Sequence, residues 1–212
     1  MDFEVARARL IDQLRAEIKD ERVLAVMSRI PREKFIPAEN QHLSYEDIPL
    51  PIGYNQTISQ PFIIALMTAS LELNKGTEKV LEVGTGSGYQ AAILAGLAQR
   101  VITVERVPGL AESARRTLDS LGYQNVEIHL AGQALGWEQN APYDAIIVTA
   151  AAPKVPKELI EQLVTGGRMV VPVGSRHLQD LKKITRHQKG YSMESLGGCR
   201  FVALIGEGAS EE

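Results

Sequence analysis

Val80-Leu81-Glu82-Val83-Gly84-Thr85-Gly86-Ser87-Gly88-Tyr89 carries a short apolar strand directly into a turn with three alternate glycines. Glycine tolerates positive φ and lets a ligand approach the backbone closely. The stretch that follows, 89–98, reads as a helix, and a helix N-terminus offers free N–H groups to an electronegative part of a ligand. Outward from this turn the chain alternates strand and helix. Apolar strands are expected at Lys79–Val83, Val101–Glu105, Val126–Leu130, Ala145–Thr149 and Arg168–Val173, with helices at about 89–98, 109–121 and 155–164. Nearly continuous β-branched strands separated by helices describe a parallel sheet covered on both faces. Leu181–Arg186 and Arg200–Ile205, joined through Gly190, are expected to form an antiparallel pair. The fold class is therefore α/β: a Rossmann-like, doubly wound, mostly parallel seven-stranded sheet with an antiparallel terminal strand and a helical N-terminal extension.

The extension begins with Leu10, Leu14 and Ile18 at helical spacing. Asp20 is placed to cap a second helix through Val23, Val26, Met27 and Ile30, ended by Pro31. Pro31 to Thr57 then reads as a long irregular segment. Its Phe35, Ile36, Leu43, Tyr45, Ile48, Leu50, Ile52 and Tyr54 are too apolar for a free linker, so it is expected to pack down as a lid. A helix from Pro61 to about Leu73 follows, with Phe62, Leu66, Ala69 and Leu73 on one stripe. The expected organisation is one domain, 1–212, with 1–60 as helical lid and substrate loop and 61–212 as Rossmann-like core.

Composition narrows the function. Of 212 residues, 44% are hydrophobic and 23% charged, ordinary for a soluble globular protein. The uncharged apolar run Ala91–Ala98 is too short to span a bilayer, and Asp2, Glu4, Arg7 and Arg9 interrupt any secretory signal at the N-terminus. A net charge of −3, from 23 basic and 26 acidic side chains, argues against a duplex nucleic-acid binder. His42, His129, His177 and His187 contain no i, i+4 pair, and Cys199 stands alone, so neither a metal site nor a disulfide framework is expected.

Two ligand classes suit the glycine turn. A dinucleotide pattern started at Gly86 runs Gly86, Gly88, Ala91. The other pattern, acid-x-G-x-G-x-G, takes Glu82, Gly84, Gly86 and Gly88, with Thr85 and Ser87 between the glycines. It is the pattern of Rossmann-like methyltransferases that bind S-adenosyl-L-methionine, and in it the acid can face the cofactor's ammonium. Glu105, followed by Arg106, ends the second strand about 20 residues beyond the turn, where an acid contacts ribose hydroxyls in both classes. A tight strand–helix turn also favours glycine for purely structural reasons, and Glu82 and Glu105 have structural readings as a buried acid and a strand-end carboxylate.

Four stretches make the reading more specific: Pro49-Leu50-Pro51-Ile52-Gly53-Tyr54-Asn55-Gln56-Thr57-Ile58-Ser59-Gln60-Pro61; the Val80–Gln90 turn; Pro142-Tyr143-Asp144-Ala145-Ile146-Ile147-Val148-Thr149-Ala150-Ala151-Ala152-Pro153; and Gln162-Leu163 with Gly166-Gly167-Arg168 and Val171-Pro172-Val173-Gly174. With Pro31-Arg32-Glu33-Lys34-Phe35 and Arg200-Phe201-Val202, the chain resembles, over almost its whole length, the protein-L-isoaspartate O-methyltransferase family. The resemblance implies methyl transfer from S-adenosyl-L-methionine to the α-carboxylate of isoaspartyl residues in damaged proteins and peptides, followed by spontaneous closure to a succinimide. The acceptor is already ionised at neutral pH, so positioning and desolvation suffice and no covalent nucleophile is needed. The resemblance places Ser59 at the active site, with Thr57, Ile58 and Gln60 beside it for the substrate. It implies a cytoplasmic monomer whose partners are isoaspartyl proteins, with neither nucleic acid nor membrane. From the residues alone, Ser59 reads equally as the N-cap of the helix opened by Pro61.

The family's acid for the adenine amino group falls on Gln133, within Gly132-Gln133-Ala134. A glutamine carbonyl still accepts from that amine, but without charge assistance, so weakened adenine binding is expected. Trp137 and Asp144 are expected to be structural, Cys199 a small buried hydrophobe, and Lys182, Lys183, Arg186, His187 and Lys189 the solvated face of the terminal hairpin. The competing functions are a methyltransferase for a small molecule or RNA, a cofactor-holding protein without catalysis, and a nicotinamide-dependent oxidoreductase.

Overall fold

The computed structural model describes residues 2–175 and 177–205. The last part of the span expected for the core, 206–212, lies outside them. Asp2 caps the first helix, Phe3–Leu14 (α1), its carboxylate accepting from the Glu4 and Val5 N–H groups at 3.0 and 3.2 Å. Asp20 caps the second, Glu21–Met27 (α2), as expected, although α2 stops short of Ile30.

The segment expected to be irregular is ordered. It forms 3-10 turns at Arg32–Phe35 and Ala38–Leu43 and a hairpin of Leu50–Gly53 (β1) with Gln56–Ile58 (β2). Pro31 and Pro37, which read as loop punctuation, precede the two turns. The hairpin reverses through Tyr54 and Asn55, both at positive φ (52° and 56°). That is the geometry of a two-residue hairpin turn, reached here without the glycine that usually marks it.

The next helix, Pro61–Ser70 (α3), buries Pro61, Ile64, Ala65, Met67 and Thr68. The stripe read from the sequence is the wrong one: Phe62, Leu66 and Ala69 are half-buried, and of that set only Leu73, beyond the helix, is buried. α3 is apolar all round, so periodicity could not choose its inner face.

Then come Lys79–Val83 (β3), Tyr89–Ala95 (α4), Arg100–Glu105 (β4), Pro108–Ser120 (α5), Val126–Leu130 (β5), Tyr143–Val148 (β6), Lys157–Glu161 (α6), Leu163–Gly174 (β7), Gln179–Arg186 (β8) and Tyr191–Cys199 (β9). The sheet order is β5-β4-β3-β6-β7-β8-β9. Pairings from β5 to β7 are parallel, and β8 runs antiparallel to both neighbours. The expected sheet is therefore present, with one strand misplaced. The partner of β8 is Tyr191–Cys199, not Arg200–Ile205, which instead runs beside Ala151 through a bridge at Ala203. The true strand is an edge: all of it but Leu196 and Cys199 is exposed, so its sequence lacks the apolar signal on which the reading depended.

Alternate residues of each central strand enter two cores. Val80, Val101, Ala145 and Ile147 face the core shared with α1 to α4, while Leu81, Ile102, Ile146 and Val148 face the one shared with α6. The connections reverse direction between β3 and β6, which opens a crevice at the carboxyl ends of those two strands.

The basic cluster of the hairpin is not simply solvated. Glu72, just after α3, pairs with Arg168 at 2.9 Å and Lys183 at 2.5 Å, and Lys183 also reaches Glu194 at 3.0 Å. Lys182 pairs with Asp180, and Arg186 donates to the carbonyls of Glu161 and Leu163. His187 and Lys189 are exposed. Asp144 is structural as expected, accepting from the Lys79 N–H at 2.9 Å. Trp137 stacks on His129 at 4.3 Å and donates to Asn140. Cys199 is buried.

Candidate active site

The crevice at the strand ends is a cavity of about 330 Å³, large enough for a small-molecule ligand. One wall is the glycine turn. Gly84, Gly86 and Gly88 all adopt positive φ (103°, 53° and 88°), so the three glycines of the motif are required by the backbone itself. Gly84, Thr85, Gly86 and Ser87 line the cavity, whereas Gly88 turns away from it. A side chain at Gly88 would press on Ala114 and Leu118, which makes that glycine a contact between α4 and α5. The Thr85 hydroxyl is held by the Thr103 hydroxyl at 2.6 Å beneath the turn.

Glu82 lies on the cavity wall and is fully buried. Neither of its carboxylate oxygens has a hydrogen-bond partner. Burial pushes its pKa up to about 8, opposed by the Thr103 hydroxyl and reinforced by the charge of Glu105. Gln90, also on the wall, donates to Thr68 at 2.9 Å but leaves its carbonyl oxygen unpartnered. The polar end of the cavity is thus provided with acceptors that lack donors, the complement of a primary ammonium group.

Glu105 lines the cavity from the end of β4. Its carboxylate accepts from the Gly86 N–H at 2.8 Å and the Val107 N–H at 2.9 Å. Each oxygen retains a second lone pair for a ligand hydroxyl. Arg106, Gly132 and Ala134 also line the cavity, together with Ala131 and Leu135, so its far end is mostly apolar. Gln133 is exposed and is not part of the wall.

The opposite wall is β2 and the turn after it: Gln56, Thr57, Ile58 and Ser59. Gln60 lies outside the lining, its side-chain amide donating to Asp47 at 2.8 Å. Ser59 is not the cap of α3. The cap position is Gln60, and the Phe62 N–H is taken by Asp47 Oδ1 at 2.8 Å, which leaves the Ser59 hydroxyl clear of the helix end. Ile52 of the hairpin reaches over Gly86, and Tyr54 lies against Gly109.

Gln90 and Tyr89, and beyond them Thr149 and the 202–205 segment, are on the wall and were not singled out as site residues from the sequence. Thr149 donates to the carbonyl of Gly84 at 2.6 Å and to that of Val83 at 3.1 Å, closing the crevice between β3 and β6. Its signal was present, since a residue just past the end of a strand beside the switch point belongs to the ligand crevice. Val202 to Ile205 form the remaining rim, brought there by backbone bonds to Ala151 that no local pattern announces. Among the described residues, no group of three or more His, Cys, Asp or Glu is placed to hold a metal, and no helix is long and apolar enough to cross a membrane.

Comparison with known proteins accords with this geometry. Residues 5–209 match the family model described as Protein-L-isoaspartate(D-aspartate) O-methyltransferase. The protein-L-isoaspartate O-methyltransferase of Syntrophus aciditrophicus is 55% identical over 210 residues, covering 97% of this chain and 96% of that one. That of Dictyoglomus thermophilum is 53% identical over 207 residues, covering 97% and 94%. Among solved structures, a protein-L-isoaspartate O-methyltransferase superposes with a TM-score of 0.86 at 28% identity, over 96% of this chain and 67% of that one. A Plasmodium falciparum protein named as a protein-L-isoaspartate O-methyltransferase, solved in complex with S-adenosyl-L-homocysteine, gives a TM-score of 0.80 at 26% identity, over 92% and 96%.

Proposed function

The chain belongs to the protein-L-isoaspartate(D-aspartate) O-methyltransferase family, and from that premise we propose that it methylates the α-carboxylate of L-isoaspartyl residues in damaged proteins and peptides, using S-adenosyl-L-methionine. The observation that carries the reading is one cavity with two complementary walls. The glycine turn with its unpartnered Glu82 stands on one side, and Thr57 to Ser59 on the other.

The residues present fit the cofactor. Glu82, with the free carbonyl of Gln90, takes the ammonium of its amino-acid end. The spare lone pairs of Glu105 take the ribose hydroxyls, and the apolar end around Ala131 to Leu135 takes the base, with Arg106, Gly132 and Ala134 beside it. When bound, S-adenosyl-L-methionine supplies a methyl group on a sulfonium centre, open to in-line displacement by an oxygen nucleophile.

The chain's own work is positioning. Among the described residues the cavity wall carries no His, Cys or Lys, which suits an acceptor that arrives already ionised. The Ser59 hydroxyl, free of the helix cap, holds the acceptor carboxylate. The backbone of Thr57 and Ile58 meets the substrate main chain, a sequence-tolerant contact suited to many damaged proteins. The β1–β2 hairpin covers the glycine turn through Ile52 and keeps water from the reacting groups. Gln60 serves this wall indirectly, through Asp47. In this reading the chain is one domain, its first 60 residues acting as lid and substrate loop. It works as a monomer in the cytoplasm, where its lone cysteine stays reduced.

The deciding experiment is transfer of a labelled methyl group from S-adenosyl-L-methionine to a short isoaspartyl peptide, with the aspartyl peptide as control and Ser59→Ala as second sample. Base-labile label on the isoaspartyl peptide alone, lost in the variant, is the expected result. Cofactor binding without label on that peptide would overturn the substrate assignment and leave the fold assignment standing.

A further inference from the structure

Arg32 is the most deeply buried cation among the described residues, with no exposed surface. Its Nε donates to the Ser44 carbonyl at 2.9 Å and its Nη2 to the Ser59 carbonyl at 3.0 Å, while Nη1 has no partner. Among the described residues no carboxylate forms an ion pair with it. Its guanidinium lies 4.9 Å from the centre of the Tyr89 ring, which is on the cavity wall at the start of α4. A buried cation with a spare donor is a poor device for stability, because desolvation outweighs what Tyr89, Tyr45 and the charge of Asp47 return to it. The planar fork does what a stabilising pair would not: it ties two backbone carbonyls 15 residues apart in sequence to one rigid group.

Asp47 grips the same turn further along. It accepts from the Gln60 side chain at 2.8 Å and from the Phe62 N–H at 2.8 Å. The Ser59–Phe62 turn is therefore held by Arg32 at its first residue and by Asp47 at Gln60 and Phe62, and Ser59 lines the cavity.

We propose that Arg32 and Asp47 are positioning residues that clamp the Ser59–Phe62 turn and thereby set the Ser59 hydroxyl against the acceptor carboxylate. The inference rests on the isoaspartyl reading above and extends it to two residues outside the cavity lining. The hydrogen bonds of the clamp all go to the substrate side: those of Glu105 and of the Gly84 carbonyl do not include it, and Arg32 meets the cofactor side only through the face of the Tyr89 ring.

The test is steady-state kinetics on the isoaspartyl peptide, with cofactor affinity measured separately by calorimetry. Arg32→Lys keeps the charge and loses the fork. The expected result is a rise of about tenfold or more in the peptide KM with cofactor Kd unchanged within about twofold. A merely structural role would lower the folded, cofactor-binding fraction and hence kcat, and would leave the peptide KM where it was. That outcome overturns the proposal. Ser59→Ala made in the Arg32→Lys background should add less than about a twofold loss, since the hydroxyl is already misplaced, and full additivity would also overturn it. Should Arg32→Lys not fold, Asp47→Ala, at the half-buried flank, decides by the same KM criterion. A wild-type protein that binds cofactor but leaves the isoaspartyl peptide unmethylated would overturn the substrate reading itself, and is visible before any variant is compared.

Discussion

The Thr149 hydroxyl donates to the Gly84 carbonyl at 2.6 Å, fastening the end of β6 to the glycine turn that follows β3. Gly84 could carry no side chain here: its φ is 103°, and a Cβ would fall 2.3 Å from that hydroxyl oxygen. Gly84→Ala therefore meets backbone strain and a clash together, and is expected to abolish cofactor binding and lower the melting temperature. Thr149→Val removes the bond without the clash. It should cost about 1 kcal/mol of stability and reduce cofactor affinity more mildly. Thermal melts with and without S-adenosyl-L-homocysteine distinguish the two. A Gly84→Ala protein with normal cofactor affinity would contradict the close-packed turn described above.

Glu82 ties cofactor binding to pH. Its pKa is raised from the ordinary 4.5 to about 8 because burial strips the carboxylate of solvent, so at neutral pH the ligand-free protein holds it largely protonated. The sign follows from linkage. The folded state binds this proton more tightly than the unfolded state, so stability declines as pH rises from about 4.5 towards 8 and levels off above. An ammonium ligand favours the ionised form and releases the proton. The rise in melting temperature caused by S-adenosyl-L-homocysteine should accordingly grow from pH 6 to pH 8.5. In Glu82→Gln that part of the pH dependence should vanish along with much of the affinity. An identical pH dependence in the variant would place the titrating group elsewhere.

The parts of this molecule that were legible in its sequence are those where local pattern and tertiary environment agree. β3, β4 and β6 are buried on both faces, and their β-branched runs say so, while β5 at the parallel edge is only half-buried. The glycines of the turn and the acid at the end of β4 sit at fixed offsets that backbone geometry imposes. The misplaced elements are those whose pattern is set by distant partners. β9 is an exposed edge, so its Tyr191-Ser192-Met193-Glu194-Ser195 stretch reads as loop, whereas Arg200–Ile205 reads as a strand because its apolar residues Val202 to Ile205 form the cavity rim. The capping of α3 is a similar case. Ser59 stands at a plausible cap position, and only the folded chain brings Asp47 from across the 47–62 loop to do the work.

Glu72 holds the terminal hairpin to the rest of the sheet. It pairs with Arg168 and Lys183, whose ammonium holds its carboxyl below the usual range, with Arg168 adding to the effect and burial opposing it. Because the Glu72 side chain is 47% exposed, solvent screens the pairs, and Glu72→Ala should cost only about 0.5–1 kcal/mol. The depressed pKa means that this contribution is present at neutral pH and is lost as pH falls through the folded value. Denaturant unfolding at pH 7 in low salt should show the difference. At 1 M salt wild type and variant should converge, and a difference that persists there would point to packing rather than charge.

Gln133 offers the sharpest comparison between sequence and structure. By resemblance it stands where a carboxylate meets the adenine amino group, and on that reading Gln133→Asp should tighten cofactor binding. In the folded chain Gln133 is exposed and off the cavity wall, while its neighbours Gly132 and Ala134 line it. The base then meets backbone and apolar groups from Ala131 to Leu135, and the side chain at 133 stays in water, where a neutral acceptor and a charged one differ little. The expected outcome is that Gln133→Asp changes the Kd for S-adenosyl-L-homocysteine by less than about threefold, or under 0.7 kcal/mol. Titration calorimetry of the two proteins at one pH measures this directly. A gain of tenfold or more would show that residue 133 folds inward onto the base when the cofactor binds, and that the glutamine is the weaker of the two partners there.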